Sequence, residues 1–317
     1  MKRIPDLLLR TSRQLFDDID ERQAFVQALT DPQPFLPSIF WNQPRPQPHP
    51  FAPIAPLNWQ PEFVDRLPLD TLIKSHALYR SGSFYGLDLS AIFGLTPLMD
   101  LPRNPDLIID VCAAPGGKSI FAWRALQPRQ LLTNDRRPKR HVKLLNNLRR
   151  CHVQPAAVLG VDAAVLSVVI PQTASVVIVE PPCTGQSRLA RGGQMPGCFH
   201  PITIAQYAKR QKRILSQALQ LVAPGGYLLY MTKTYTADEN ERVMEWVLRE
   251  FPQFQATSVD RLAKYQSSLS EQPCYRLFPQ SGQGAGAFTA LLHNQQTGEP
   301  NRIPIGFFAQ AAVQLLS

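Results

Sequence analysis

Ten residues, Asp110-Val111-Cys112-Ala113-Ala114-Pro115-Gly116-Gly117-Lys118-Ser119, join a short apolar run to a helical pattern. Small side chains there let the backbone approach a ligand, and the helix that follows offers N–H groups with no partner in its own first turn. Asn134-Asp135 ends the next apolar run, and an acidic residue about 20 positions past a glycine loop is placed to take two hydroxyls of a ribose. Together these residues describe a site for an adenosine-type ligand. Two other readings compete. Gly117-Lys118-Ser119 ends like the phosphate-binding loop G-x-x-x-x-G-K-[ST], but Cys112 stands at its first glycine, and the later run 176–179 is followed by Glu180 rather than a magnesium-binding aspartate. The loop could also be a glycine-rich turn that holds nothing.

The elements that must position this site are short apolar runs alternating with longer helical periods. Leu107-Ile108-Ile109-Asp110-Val111, Leu131-Leu132-Thr133, Val176-Val177-Ile178-Val179 and Tyr227-Leu228-Leu229-Tyr230-Met231 each read as a buried parallel strand. Helices are expected at 118–127, 137–150, 203–222 and 238–250, the last opened by Asp238 and Glu239, which suit a helix N-terminus. Val222-Ala223-Pro224-Gly225-Gly226 should stop the 203–222 helix and turn the chain into the next strand. The pattern is α/β, a doubly wound sheet, in which ligands bind outside the carboxyl ends of the strands.

Upstream, Leu15, Phe16, Ile19, Phe25, Val26 and Leu29 predict one amphipathic helix over 12–29 with Ser12 as its cap. Ten prolines between Pro32 and Pro61, including Pro44, Pro46, Pro48 and Pro50, argue against helix or central strand and for an extended strap. Phe35, Ile39, Phe40, Trp41 and Trp59 are too apolar to leave exposed, so the strap should lie on the protein.

The 317 residues suit one large domain, or a large one with a small partner. Hydrophobic residues at 44% and charged ones at 18% exclude a wholly disordered chain. No apolar run approaches the ~20 residues that span a bilayer, so a soluble protein without membrane partners is expected. Met1-Lys2-Arg3 before Leu7-Leu8-Leu9 resembles a leader only faintly, since Asp6 and Arg10 bracket too short an apolar stretch. Cys112, Cys151, Cys183, Cys198 and Cys274 form no C-x-x-C pair, which points to a reducing, cytoplasmic setting. His141 and His200 lack ligand spacing, and no metal site is expected. Thirty-three Lys+Arg against 24 Asp+Glu leave a net charge of +9, which favours a polyanionic partner through counterion release. Arg136, Arg137, Lys139, Arg140, Lys143, Arg149 and Arg150, with no acidic side chain among 136–150, could grip a phosphate backbone or form a solvated face.

The loop at 110–119 resembles the cofactor loop D-x-C-A-A-P-G-G-K-[ST] of the RNA cytosine carbon-5 methyltransferases of the RsmB/Nop/Sun type, which use S-adenosylmethionine. Asn134-Asp135 with Arg137, Leu144, Asn147 and Leu148 is similar to that family's second motif, and Val161-Asp162-Ala163 to its third. Gln27 to Asn42 is similar to its RNA-contacting N-terminal segment, Gly82 to Ser90 to its strand-entry motif, and Arg276 to Phe288 to its R-L-x-P…G-x-F ending. The resemblance implies a Rossmann-like class I methyltransferase domain at about 75–297, behind a small helical and proline-rich RNA-contacting segment at 1–74 and before a packing tail at 298–317. It implies S-adenosyl-L-methionine as cofactor and rRNA or tRNA as partner, with methyl transfer to cytosine carbon 5. By it Cys112, Ala113, Ala114, Pro115, Gly116, Gly117 and Lys118 cradle the methionine end of the cofactor, Asp135 takes its ribose and Asp162 its adenine. Glu180 is expected among the cofactor-binding residues of the same pocket, and holds the base if Cys183 attacks as the Pro-Cys of DNA cytosine carbon-5 methyltransferases does.

Two motifs depart from the family pattern. D-A-P-C-S-G stands as Glu180-Pro181-Pro182-Cys183-Thr184-Gly185, and Y-S-T-C-S-x-x-P-E-E-N-E as Tyr230-Met231-Thr232-Lys233 through Glu241. Lys233 thus replaces the family's nucleophilic cysteine. Carbon 5 of cytosine is a poor nucleophile until a thiolate adds at carbon 6, and a protonated amine replaces a thiolate badly. One expectation is that Cys183 attacks, with Lys233 stabilising its thiolate. Another is that Cys183 is only a small buried residue and the chain a catalytically silent relative that binds RNA as a scaffold or ribosome-assembly factor. Lys233 is expected to reach RNA phosphate or Glu180.

Overall fold

The computed structural model describes residues 5–309 and 313–316. Met1, Lys2 and Arg3 of the faint leader lie outside them, as do residues 310–312 and Ser317 of the expected tail. The N-terminal periodicity folds as two helices, α1 (Asp6–Leu15) and α2 (Ile19–Thr30), instead of one. Asp18 causes the break, because its side chain accepts from Glu21 N at 2.9 Å and so caps a new helix. Ser12 is no cap; it lies inside α1 and donates to Leu9 O at 2.9 Å.

β1 (Ser38–Trp41), β2 (Val64–Arg66), α3 (Ala77–Arg80) and β3 (Phe84–Gly86) follow, and the three strands form an antiparallel sheet in the order β2-β1-β3. The expectation that the proline-rich stretch holds no central strand is therefore corrected. The window 38–41 contains no proline, so every residue in it keeps an N–H for pairing. Ile39, Phe40 and Trp41 are buried, and so is Trp59, whose indole N–H donates to Tyr265 Oη at 3.1 Å. The strap is packed on the protein.

The main sheet is built from β4 (Leu107–Asp110), β5 (Gln130–Asn134), β6 (Ala156–Leu159), β7 (Ala174–Val179), β8 (Val222–Thr232), β9 (Phe254–Thr257), β10 (Tyr275–Leu277), β11 (Ala287–Asn294) and β12 (Val313–Leu316). Its order is β10-β11-β8-β7-β4-β5-β6-β12, with β9 also on β11. The five strands β4 to β8 are parallel, and β9 to β12 pair antiparallel with their neighbours. This is a Rossmann-like doubly wound sheet. Alternation along β4 divides the core: Ile108 packs with Leu131 and Ile178 on one face, Ile109 with Leu132 and Val177 on the other.

On the first face lie α4 (Leu89–Leu95), α5 (Gly117–Leu126) and α6 (His141–Arg150); on the second lie α7 (Ala163–Val169), α8 (Pro201–Ala218) and α9 (Glu241–Glu250). α6 begins at His141 rather than 137, after a short 3-10 turn over Pro138–Arg140, and α9 at Glu241 rather than 238. The Pro224-Gly225-Gly226 turn is an irregularity inside β8: Val222 faces Ala174, but Tyr227 already faces Val176. α1 and α2 bury Leu8, Leu15, Phe25 and Leu29 against Ala190, Phe199 and Tyr235, so the N-terminal helices brace the segments that follow β7 and β8.

Candidate active site

β4 pairs with both β5 and β7, so the strand order reverses there and opens a crevice at the carboxyl ends. Asp110, the last residue of β4, is fully buried and accepts from Ser119 Oγ at 2.7 Å and Cys112 N at 3.2 Å. These bonds fold the loop back onto the start of α5. Burial pushes the Asp110 carboxyl above its ordinary pKa, against the pull of Lys118. Gly116 has a φ of +107°, a left-handed conformation that suits glycine. At Gly117 an added Cβ would stand 2.9 Å from the Tyr85 ring, so the close approach of that ring to the loop requires glycine.

Asn134 joins three strand ends. Its Nδ2 donates to Val111 O at 3.3 Å and Val161 O at 3.0 Å, and its Oδ1 accepts from Val161 N at 3.1 Å. The neighbouring Asp135 carboxylate accepts from Arg137 N at 3.0 Å and Arg140 Nη1 at 2.8 Å. Asp162 caps α7 by accepting from Ala164 N at 3.1 Å and pairs with Arg136 at 3.1 Å. Arg150 donates to Tyr79 O at 2.6 Å and stacks on its ring. Three cations of the basic run are thus engaged within the protein; Arg136 and Arg140 line the crevice together with Arg137 and Lys139.

Beyond β7, Glu180 stands between two lysines. Lys118 Nζ lies 2.9 Å from its Oε2 and Lys233 Nζ 3.2 Å from its Oε1. Burial works to raise the Glu180 pKa, but the two ammonium groups overcome it and hold the carboxylate down at about 2. The Lys233 ammonium therefore meets Glu180, not the Cys183 thiol. Burial, with Glu239 adding to it, pushes Cys183 up to about 12. Burial and Asp110 do the same to Cys112. Glu239, expected at a helix start, instead turns inward. It accepts from Thr184 N at 2.9 Å and Gln211 Nε2 at 2.8 Å, tying the Cys183 loop to the segment after β8.

A cleft of about 1220 Å³ gathers Cys112, Ala114, Pro115, Gly117, Lys118, Asp135, Asp162, Glu180, Cys183 and Lys233 along one wall system. Ala113 and Gly116 do not line it: Ala113 is packed in the core, and Gly116 shapes the turn. Tyr207, Arg210, Arg213 and Ile214 of α8 do line it, as do Tyr85 and Asp88. Sequence reasoning missed them. For the α8 residues the only signal was the shared helical face of Tyr207, Arg210 and Ile214, which reads like any amphipathic surface; Tyr85 and Asp88 fall within the Gly82 to Ser90 motif, which was not tied to the site. Among the described residues no group of three or more His, Cys, Asp or Glu side chains is placed to hold a metal ion.

The family model described as 16S rRNA methyltransferase RsmB/F matches residues 98–293. The chain belongs to that family. Ribosomal RNA small subunit methyltransferase F of Cronobacter sakazakii is 26% identical over 257 residues, which cover 79% of this chain and 54% of the relative. Its counterpart from Escherichia coli strain HS is 27% identical over 251 residues, 77% and 52% of the two chains. The chain spans about half the length of these curated relatives. Among solved structures, a methyltransferase homolog protein from Pyrococcus horikoshii superposes with a TM-score of 0.72 at 19% identity over 93% of this chain and 99% of that one. NSun6 from the same organism gives 0.70 at 18% over 92% and 99%. Both show the fold, a mixed α/β architecture with a central, mostly parallel sheet.

The Glu180 cluster makes this family member acid-sensitive in a defined window. The folded pKa of about 2 lies below the ordinary value of 4.5, so the pairing stabilises the protein above pH 4.5 and is lost as the pH falls through 2. The difference corresponds to about 3 kcal/mol at neutral pH. Urea unfolding of wild type and Glu180→Gln should show the variant weaker by about that amount at pH 7, with the gap shrinking by about half at pH 3. A gap independent of pH would contradict the pairing.

Proposed function

We propose that this chain transfers the methyl group of S-adenosylmethionine to carbon 5 of a cytidine in ribosomal or transfer RNA, and does so in the cytoplasm. The observation that carries this reading is the convergence of the 112–118 loop, two strand-end carboxylates and the Glu180–Cys183 segment on one cleft, in a chain of an rRNA methyltransferase family.

The residues present fit the cofactor. The Cys112–Lys118 turn offers backbone groups and the start of α5, Asp135 and Asp162 keep free acceptor sites beside their arginines, and the cleft has the volume. When bound, S-adenosylmethionine supplies an electrophilic methyl carbon. Lys118, Asp135 and Asp162 bind and orient; Glu180 holds the base; Cys183 Sγ, its proton passed to solvent, adds to carbon 6 and opens the double bond to carbon 5, which becomes nucleophilic. Once carbon 5 is methylated, its proton leaves to solvent and the thiolate is expelled as the double bond re-forms. The test is incubation with methyl-labelled S-adenosylmethionine and total RNA, followed by nucleoside analysis. Label in 5-methylcytidine is expected. Absent label, with cofactor binding still measurable by calorimetry, would favour the silent RNA-binding relative, and label in another nucleoside would overturn the substrate.

The N-terminal segment contributes to the RNA path in this reading. A groove of about 790 Å³ runs between 32–38 and Lys74, Tyr79, Lys143 and Arg191, and shares Tyr85 to Asp88 with the cleft. Lys74 and Lys143 are exposed and free to meet phosphate. For a labelled single-stranded oligocytidine, Lys74→Ala/Lys143→Ala should lower the slope of log K against log salt by about 1.4, or ~0.7 per phosphate contact. Arg129→Ala, at the amino end of β5, should leave the slope unchanged.

A further inference from the structure

We propose that Lys233 and Glu180 read the edge of the target base as a pair, Glu180 accepting from an exocyclic amino group and Lys233 donating to the unprotonated ring nitrogen beside it. The proposal rests on the reading above only in placing a nucleobase in this cleft.

The two lysines that flank Glu180 are not equivalent. The Lys118 side chain is 7% exposed, and its Nζ also donates to Cys112 O at 3.3 Å. Lys233 is 43% exposed and lines the cleft. An ammonium group has three N–H donors and no acceptor, so Lys233 retains donors after meeting Glu180 Oε1 at 3.2 Å. Each carboxylate oxygen has two lone pairs, so Oε1 can accept again on its open side. An acceptor and a donor therefore stand side by side at the cleft surface, held by Lys118 from behind.

That order is complementary to an amine beside a bare ring nitrogen, the arrangement on the pairing edges of cytosine and adenine. Uracil and guanine present the reverse order, a carbonyl beside an N–H. Against this pair they would set oxygen on carboxylate and N–H on ammonium, leaving four polar groups unmet. The substitution of Lys233 for cysteine thus places a base-reading donor where the family pattern has a thiol.

The experiment uses nonaribonucleotides of uridine with one central residue X, bound to the full chain in the presence of S-adenosylhomocysteine. X is cytidine, uridine or 3-deazacytidine, in which C–H replaces ring nitrogen 3. Phosphate contacts are constant across the set, so differences report the base. Wild type should bind the cytidine probe about tenfold more tightly than 3-deazacytidine, and uridine, which loses both contacts, more weakly still. Lys233→Met should bind cytidine and 3-deazacytidine alike, because both keep the amino group that Glu180 accepts from, while retaining S-adenosylhomocysteine affinity, which shows that it is folded. A wild type indifferent to X, or a Lys233→Met variant that still separates cytidine from 3-deazacytidine, would overturn the proposal. The two readings fail separately. Preference for cytidine over 3-deazacytidine lost on Lys233→Met, with no label entering total RNA, would overturn methyl transfer alone; label in cytidine with a wild type indifferent to X would overturn base reading alone.

Discussion

Replacing Cys183 with alanine is expected to cut methyl transfer to RNA at least about 10³-fold while cofactor affinity stays within about twofold. The expectation follows from placement. Cys183 lines the cleft beside Glu180, whereas the position after β8 that carries the family's nucleophile holds an amine already engaged with a carboxylate. The thiol must lose a proton to react, and with its pKa pushed up to about 12 only a small fraction is thiolate near neutrality. The rate should therefore rise close to tenfold per pH unit between about pH 7 and 9. Methyl transfer unchanged in Cys183→Ala would remove the nucleophile assignment. A flat pH profile in wild type would show that another step, or a different proton acceptor, limits the rate.

Arg276→Met is the substitution expected to cost most in stability. The Arg276 guanidinium makes two bonds to the Glu241 carboxylate and donates to Tyr235 O at 2.6 Å, with both side chains almost wholly buried. The rings of Phe278 and Phe288 lie on it. Removing the cation leaves Glu241 a buried charge with only the Ser267 hydroxyl, at 2.6 Å, as a side-chain partner among the described residues. Breaking such a pair typically costs 3–5 kcal/mol, so the urea midpoint should fall by roughly that divided by the m-value. Arg276→Met/Glu241→Leu should recover much of the loss, since the desolvation cost goes with the second charge. A single variant within about 1 kcal/mol of wild type would contradict this account. Tyr235 lies two residues past Lys233, so the same pair anchors the backbone that presents the cleft lysine.

The sheet was legible wherever an apolar run was long and β-branched, as at 107–111 and 176–179. β6 was not read as a strand because Ala156-Ala157-Val158-Leu159 is short and its first two side chains suit a helix equally. β1 was hidden by composition, since proline density over thirty residues says nothing about a four-residue window without proline. The 12–29 pattern kept its helical spacing across Asp17-Asp18, and only the cap at Asp18 reveals the break. Within the cleft, the glycine loop and the carboxylates were visible because local chemistry demands those residue types in that order. Tyr207, Arg210 and Arg213 were not, because a helix face gains its role only from what the tertiary fold sets opposite it. The bonds from Arg136 to Asp162 and from Arg140 to Asp135 were not legible either, because the fold alone brings these carboxylates to the arginines.

β12 runs antiparallel to β6, with Val313 opposite Leu159 and Leu316 opposite Ala156. Because β6 is parallel to β4, Ala156 is at the amino end of the strand, remote from the crevice. A fluorophore or surface anchor attached at the exposed Leu315 would emerge on the side of the molecule away from the crevice. Tethering there would let single molecules be watched, or the protein be captured on a chip, with the cleft turned toward the solution.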